Sequence, residues 1–370
     1  MMKFLILSTA TGQGHNSASL AVAETLQAEN CIVKIGDVLK AGKRDISEHV
    51  SKLYSNVTLH MPRFFGGLYH AGELVSSSKR HSPIYRLNSL YAGNLYDRIC
   101  RFEPDVIVCT HIFGAQAITC IRKRYGLKTP TAGIATDYTC SPFWEESKLD
   151  GYIIPSAGLT DEFAQKGIPA GKIIPIGIPV RPQFQNKITK QEAREKFGIT
   201  AKHLFLVMGG SMGYGNIETL TASLLEAAPD TQVAAVCGKN EKLFHELSGI
   251  TNAVPFEYVE NISELMDAAD VILTKPGGLT STEALVKHIP TVLTRPIPGC
   301  EQHNAEYLSS LGAAAFADNT ESAVGKALHL LNDADAAAKM TAAQEKYICK
   351  DASKQICDYL IRLGKSFQEA

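Results

Sequence analysis

Short runs of consecutive apolar residues alternate along this chain with longer stretches in which apolar positions recur every three or four residues. Lys3–Ser8, Cys31–Ile35, Val106–Thr110, Thr131–Thr136 and Tyr152–Pro155 are of the first kind, and Ala18–Ala28, with Leu20, Ala23 and Leu26 at helical spacing, is of the second. Uninterrupted apolar strands separated by helices predict a parallel sheet covered on both faces. Pro175, Pro179 and Pro182 then fall close together, and a polar stretch to Lys190 follows, the pattern of a domain boundary. Beyond it the alternation starts again. Leu204–Met208, Gln232–Cys237, Val271–Thr274 and Thr291–Thr294 read as strands; Asn216–Ala228, Ile262–Ala268, Ser281–Lys287 and Ala305–Leu311 read as helices, and Ala-rich helical sequence runs to the end. The prediction is an α/β protein of two Rossmann-like, doubly wound domains, with an interdomain cleft at their strand C-terminal ends.

One stretch breaks the rhythm. Between Lys40 and Arg101 there are ten basic and four acidic residues, a net +6 in a chain whose total formal charge is −1. Tyr54, Phe64, Phe65, Tyr69, Tyr85, Tyr91 and Tyr96 are interleaved with them, and Pro62 with Gly66-Gly67 predicts a loop or a broken helix in the middle. The near-zero total argues against a general nucleic-acid binder, though not against a local basic patch. No apolar run approaches the ~18 residues that span a bilayer, and Phe4–Leu7 is too brief for a secretory segment. The nine cysteines include no Cys-x-x-Cys pair, so the expectation is a cytoplasmic protein with reduced thiols.

Glycine-rich turns between a strand and a helix carry the candidate chemistry. The first is Gly12-Gln13-Gly14-His15, with Ser17 where a dinucleotide fingerprint needs its third glycine. A histidine at a helix start feels a positive field that favours its neutral form, which a general base requires. The second, Gly209-Gly210-Ser211 through Gly215, suits a phosphate but has no P-loop lysine. The third is Lys275-Pro276-Gly277-Gly278-Leu279-Thr280, in which Thr280 or Ser281 would cap a helix and Glu283 would either bind ribose hydroxyls or close a capping box. Pro296–Asn304 reads as a polar loop suited to sugar hydroxyls. Asp137 sits at a strand's end near Trp144, the only tryptophan. A lone His111 reads as structural, and Asp333-Ala334-Asp335 is set aside because i and i+2 side chains diverge on a helix.

Taken together these residues resemble the lipid-directed glycosyltransferases of family 28, of the monogalactosyldiacylglycerol synthase and processive diacylglycerol glucosyltransferase type. The resemblance rests on Gly14-His15, on Gly177-Ile178-Pro179-Val180-Arg181-Pro182-Gln183-Phe184, on Gly277 through Glu283, and on Glu301-Gln302 with Asn304. It implies the GT-B fold, with residues 1–180 facing acceptor and membrane, residues 181–345 binding a UDP-sugar, and residues 346–370 crossing back to the first domain. It also implies an inverting hexosyl transfer to a lipid hydroxyl, diacylglycerol foremost, with no metal in the site and no cofactor besides the donor. His15 would be the base, with Asp137 in the catalytic group. Gly210, Ser211 and Thr280 would lie by the diphosphate, Tyr258 and Val259 by the uracil, Glu283 by the ribose, and Glu301 and Gln302 by the sugar, with Gly14, Gly278 and Leu279 also in the donor-binding group. The basic, aromatic Lys40–Arg101 segment would hold the enzyme on an anionic membrane surface at the inner face of the cell membrane. Relatives read T-D-[FY]-x-x-H-x-x-W where this chain has Thr136-Asp137-Tyr138 and Ser141 in the histidine's place. Another lipid or a soluble acceptor is therefore an alternative, as is a non-hydrolysing UDP-sugar epimerase, which shares the fold.

Overall fold

The computed structural model describes residues 1–9, 13–41, 52, 56–57, 61–76, 81–210 and 216–369. Ser211 to Gly215 of the second glycine-rich turn, Gly12, and several charged residues of the basic segment (Lys43, Arg44, Lys79 and Arg80 among them) lie outside the described residues. The chain divides into two compact units: residues 1–182 with 298–300 and 351–370, and residues 183–297 with 301–350.

In unit 1 the strands β1 (Lys3–Ser8), β2 (Ile32–Asp37), β3 (Val106–Cys109), β4 (Thr131–Ile134), β5 (Gly151–Ile154) and β6 (Ile173–Pro175) form a parallel sheet in the order β2-β1-β3-β4-β5-β6. Unit 2 repeats the plan with β7 (His203–Met208), β8 (Thr231–Val236), β9 (Ala253–Phe256), β10 (Val271–Thr274), β11 (Thr291–Thr294) and β12 (Ala315–Ala317), ordered β12-β11-β10-β7-β8-β9 and again parallel. Chain direction through the sheet reverses between β1 and β3 in one unit and between β7 and β10 in the other. A crevice opens beyond the strand ends at such a reversal, the usual ligand position in doubly wound sheets.

The core of unit 1 joins Phe4, Ile6, Val22, Leu26, Val106, Val108 and Ile134 to Ile356, Cys357 and Leu360 of the last helix, Ala352–Gln368. The chain's end thus belongs to the first unit's core. The motif at residues 177–184 helps to hold it there: the Val180 carbonyl accepts a hydrogen bond from Ser353 Oγ at 2.6 Å, and Arg181 pairs with Glu24 at 2.7 Å.

One expectation about local structure needs correction. Residues 62–75 form one unbroken helix, Pro62–Val75. Proline is tolerated in a first turn, where its missing N–H costs nothing, and each helical glycine costs only about 1 kcal/mol. Packing outweighs that: a Cβ on Gly72 would come within 3.3 Å of the Phe143 ring. The Ala-rich C-terminal region is helical as expected, in three helices, Thr320–Asn332, Ala334–Tyr347 and Ala352–Gln368. Asp333 caps the second by accepting from Ala336 N at 2.9 Å, which gives the set-aside Asp-x-Asp its structural role.

Candidate functional site

At the reversal point of unit 1, the helix Gln13–Ala28 that follows β1 places Gly14 and His15 in its first turn. The His15 ring is held by Nδ1, which lies 3.0 Å from the Thr110 carbonyl oxygen and 3.0 Å from Thr136 Oγ1. A carbonyl oxygen can only accept, so Nδ1 carries the proton and Nε2 keeps the lone pair a base needs. His111 stands edge-on to His15, ring centroids 4.5 Å apart, and its own Nδ1 accepts from Phe113 N at 3.1 Å. The residue read as an isolated structural histidine caps its helix and also walls the candidate base. Asp137 follows β4 on a loop pinned by Glu162, which accepts from Thr139 Oγ1 and Cys140 N at 2.7 Å each.

These groups line a cavity of about 290 Å³ with Phe65, Leu68, Tyr69, Ile84, Ile112, Phe113, Ser141, Phe143 and Trp144. Trp144 packs so closely on β4 that a Cβ on Gly133 would fall 2.6 Å from its ring. Most of the lining is apolar, with His15, His111, Thr136 and Asp137 among its polar residues.

Burial pulls the pKa of His15 below its ordinary 6.5, against the charge of Asp137 and the hydrogen bond to Thr110. It pulls His111 well below, helped by the neighbouring His15. Two outcomes follow. The acid limb of the pH–rate profile should have its midpoint below pH 6.5, because the neutral base persists into more acid solution. Stability should be full above pH 6.5 and fall as the pH is lowered, because the unfolded chain binds protons that the folded one excludes. Thermal unfolding at pH 5, 6 and 7.5 checks the second; an unchanged midpoint would refute it.

In unit 2 the equivalent reversal brings two glycine turns together. Gly210, at φ +71°, has the left-handed conformation that favours glycine, and a Cβ there would lie 2.8 Å from Lys275 Cε. Lys275 therefore spans from the first turn to the second, where a Cβ on Gly277 would stand 3.5 Å from its Nζ. Its ammonium is paired with Glu301. Glu301 is buried, and its other oxygen accepts from Ile297 N at 2.9 Å. A pocket of about 210 Å³ is lined by Met208, Asn216, Lys275, Arg295, Asp318 and Asn319, at the starts of the helices Ile217–Ala227 and Thr320–Asn332. Helix starts with two cations beside them favour an anion.

Two helix starts differ from the sequence reading. The third motif's helix runs Gly278–Val286 with Gly277 as N-cap, so Leu279 and Thr280 lie within its first turn and Glu283 beyond it, outside a capping box. Backbone closeness is the reason: Gly277 N bonds to Lys275 O at 2.9 Å, and the helix leaves β10 at once. Its far end is anchored by fully buried Lys287, which donates to Asp267 at 2.7 Å and to Asn186 O at 2.6 Å. The expected polar loop after β11 turns into a helix at Cys300, Cys300–Ser310, because Glu301 in the first turn bonds back to Ile297. Gln302 bonds to Glu306 on that helix at 2.7 Å. Tyr258 and Val259 follow β9, with Tyr258 exposed.

Residues 15–180 match the family profile described as monogalactosyldiacylglycerol (MGDG) synthase, and residues 204–356 match the glycosyltransferase family 28 C-terminal domain. The chain belongs to glycosyltransferase family 28. This glycosyltransferase is 28% identical over 369 residues, 97% of its length and 94% of the relative's, to the processive diacylglycerol beta-glucosyltransferase of Bacillus pumilus. Among solved structures, MurG of Acinetobacter baumannii is similar with a TM-score of 0.64 at 14% identity, covering 98% of this chain and 100% of that one. UDP-GlcNAc 2-epimerase of Neisseria meningitidis is similar with a TM-score of 0.62 at 16% identity, again over 98% and 100%. An epimerase shares this fold, so the fold alone does not mark a transferase; the family profiles do. Sequence reasoning passed over Lys275 and Arg295 in the family 28 enzyme. The signal for Lys275 was its place between a buried strand and a Gly-Gly turn.

Proposed function

We propose that the enzyme transfers a hexose from a UDP-sugar to the free hydroxyl of diacylglycerol, with inversion, while resting on an anionic membrane surface. The tautomer of His15 in a mostly apolar cavity is the observation that carries this reading. His15 Nε2 takes the proton of the acceptor hydroxyl as its oxygen bonds to the sugar's C1, and the bond from C1 to the UDP oxygen breaks. A single displacement inverts the anomeric centre. The Asp137 charge favours the imidazolium that His15 becomes. On the donor side the two glycine turns, with Gly210 and Ser211 in one and Gly278, Leu279 and Thr280 in the other, receive the diphosphate. Lys275 and the helix starts balance the charge of the departing UDP. Glu283 takes the ribose and Tyr258 with Val259 the uracil. Glu301, with both oxygens engaged, acts by fixing Lys275 beside the sugar, and Gln302 reaches the sugar once released from Glu306.

The apolar walls suit acyl chains. Exposed Phe64, Leu68, Leu74 and Val75 on the helix Pro62–Val75, with Leu87 and Leu90 after it, give the same unit an apolar surface within the basic segment. Among the described residues no helix is long and apolar enough to cross a membrane, so attachment would be peripheral. Product mass after incubation with each UDP-hexose and a lipid panel tests the transfer; no product with diacylglycerol, but one with another lipid, would move the acceptor. Flotation with anionic vesicles should recover the protein, less so at 0.5 M salt because exposed charges are screened over roughly 10 Å at 0.1 M and less above it. Equal recovery with neutral vesicles would refute the charge contribution.

A further inference from the structure

His15 and His111 line one cavity with ring centroids 4.5 Å apart and planes close to a right angle. Each ring is held through Nδ1 by a backbone group, and the two groups are of opposite kind. At His15 the partner is the Thr110 carbonyl oxygen, which can only accept, so Nδ1 carries the proton and Nε2 the lone pair. At His111 the partner is the Phe113 N–H, which can only donate, at 3.1 Å, so Nδ1 carries the lone pair. A ring with an unprotonated Nδ1 is neutral and bears its one proton on Nε2. Burial, which holds the His111 pKa well below 6.5, keeps it in that state. The two histidines are thus fixed in opposite tautomers, with an acceptor at Nε2 of one and a donor at Nε2 of the other. Both residues remain partly exposed while they line the cavity.

An alcohol hydroxyl fits such a pair, because it donates one hydrogen bond and accepts others. We propose that His111 is a second catalytic residue, donating from Nε2 to the oxygen of the acceptor hydroxyl while that hydroxyl donates to His15 Nε2. This rests on the acceptor reading given above and deepens it. The hydroxyl oxygen then has its bond to carbon, its proton toward His15, one lone pair toward His111 and a second lone pair left to meet C1 of the sugar. His111 thereby fixes the rotation of the hydroxyl, which a base alone leaves open. Only the hydroxyl proton moves, to His15, and His111 ends the step as it began it. The pair also selects: an ether or ester oxygen could accept from His111 but has no proton for His15.

Trp144 is the only tryptophan in the chain and lines the same cavity, so quenching of its fluorescence by lipids with brominated acyl chains, in phosphatidylcholine vesicles, reads occupancy without needing transfer. The two probes are brominated diacylglycerol and its deoxy analogue, which has hydrogen in place of the hydroxyl. His111→Asn keeps the helix cap, because the asparagine carbonyl oxygen can accept from Phe113 N, but it puts no donor at the place of Nε2. In the unmutated protein the quenching midpoint for diacylglycerol should lie about ten-fold or more below that for the deoxy analogue, and in His111→Asn this ratio should fall about five-fold. The kcat/KM for diacylglycerol should fall at least as far, with the KM for UDP-sugar within about two-fold. His111→Gln does the converse. Its amide N–H can reach the place of Nε2 but it caps poorly, so the ratio should recover while the thermal midpoint drops. A residue that only caps and walls would shift both probes alike, so an unchanged ratio in His111→Asn overturns the inference. A ratio near one in an unmutated protein that does transfer sugar to diacylglycerol also overturns it and leaves the acceptor reading standing. No quenching and no transfer would sink the acceptor reading and the inference together. A ratio that falls as expected, without sugar transfer, would sink the transferase reading alone.

Discussion

Replacing His15 by alanine should lower kcat by about 10²–10⁴-fold, the usual share of a general base, and leave the KM for UDP-sugar within about three-fold. The asymmetry follows from where the groups sit. The residues assigned to the donor all belong to unit 2 except Gly14, and Ala would keep the backbone of that turn. His15 has no donor role in this scheme, so its loss removes an interaction made only as the acceptor proton departs. A stability control is needed, because alanine leaves the Thr110 carbonyl and Thr136 hydroxyl without the ring nitrogen they now share. An unsatisfied buried group costs about 1–3 kcal/mol, enough to lower the unfolding midpoint without emptying the native state. Rates should therefore be taken well below that midpoint. If kcat stays within about three-fold of the unmutated enzyme, the base is another group, and Asp137, in the same cavity, is the one to replace next.

His15 was legible because its motif is local: a strand, a glycine turn and a helix start lie within a dozen residues. Its partners were not, since Thr110 is 95 residues away and Thr136 is 121 away in sequence. Apolar runs announced parallel sheets, yet could not give the strand order, and the two units differ in it. The three-residue strands Ile173–Pro175 and Ala315–Ala317 escaped because an edge strand that short has no periodicity to read. Helix starts at Gly277 and Cys300 were displaced because sequence rules rank side-chain caps first. In the structure a bare glycine at one, and a glutamate bonding backward at the other, fit turns shaped around Lys275. Tyr69 and Ser141 share no motif with each other or with His15, and the fold brings all three to the walls of one cavity.

Replacing Lys275 by methionine should reduce kcat/KM for the UDP-sugar by about 10²-fold or more, the scale of losing one preorganised charge at a departing anion. It should also destabilise unit 2. Glu301 is only 7% exposed, and without the ammonium its carboxylate is a buried charge held by a single backbone N–H. Breaking one side of such a pair costs about 3–5 kcal/mol. A loss of activity in this variant alone would therefore be ambiguous between misfolding and missing chemistry. The double variant Lys275→Met with Glu301→Gln separates them. Glutamine can still accept from Ile297 N through its carbonyl oxygen, and no unpaired charge remains, so the unfolding midpoint should return most of the way. Activity should not return if Lys275 is the countercharge for the diphosphate, because the double variant restores no cation between the Gly210 and Gly277 turns. Recovery of both would mean that Lys275 serves only to neutralise Glu301. The leaving group's charge would then fall to the helix starts and to Arg295.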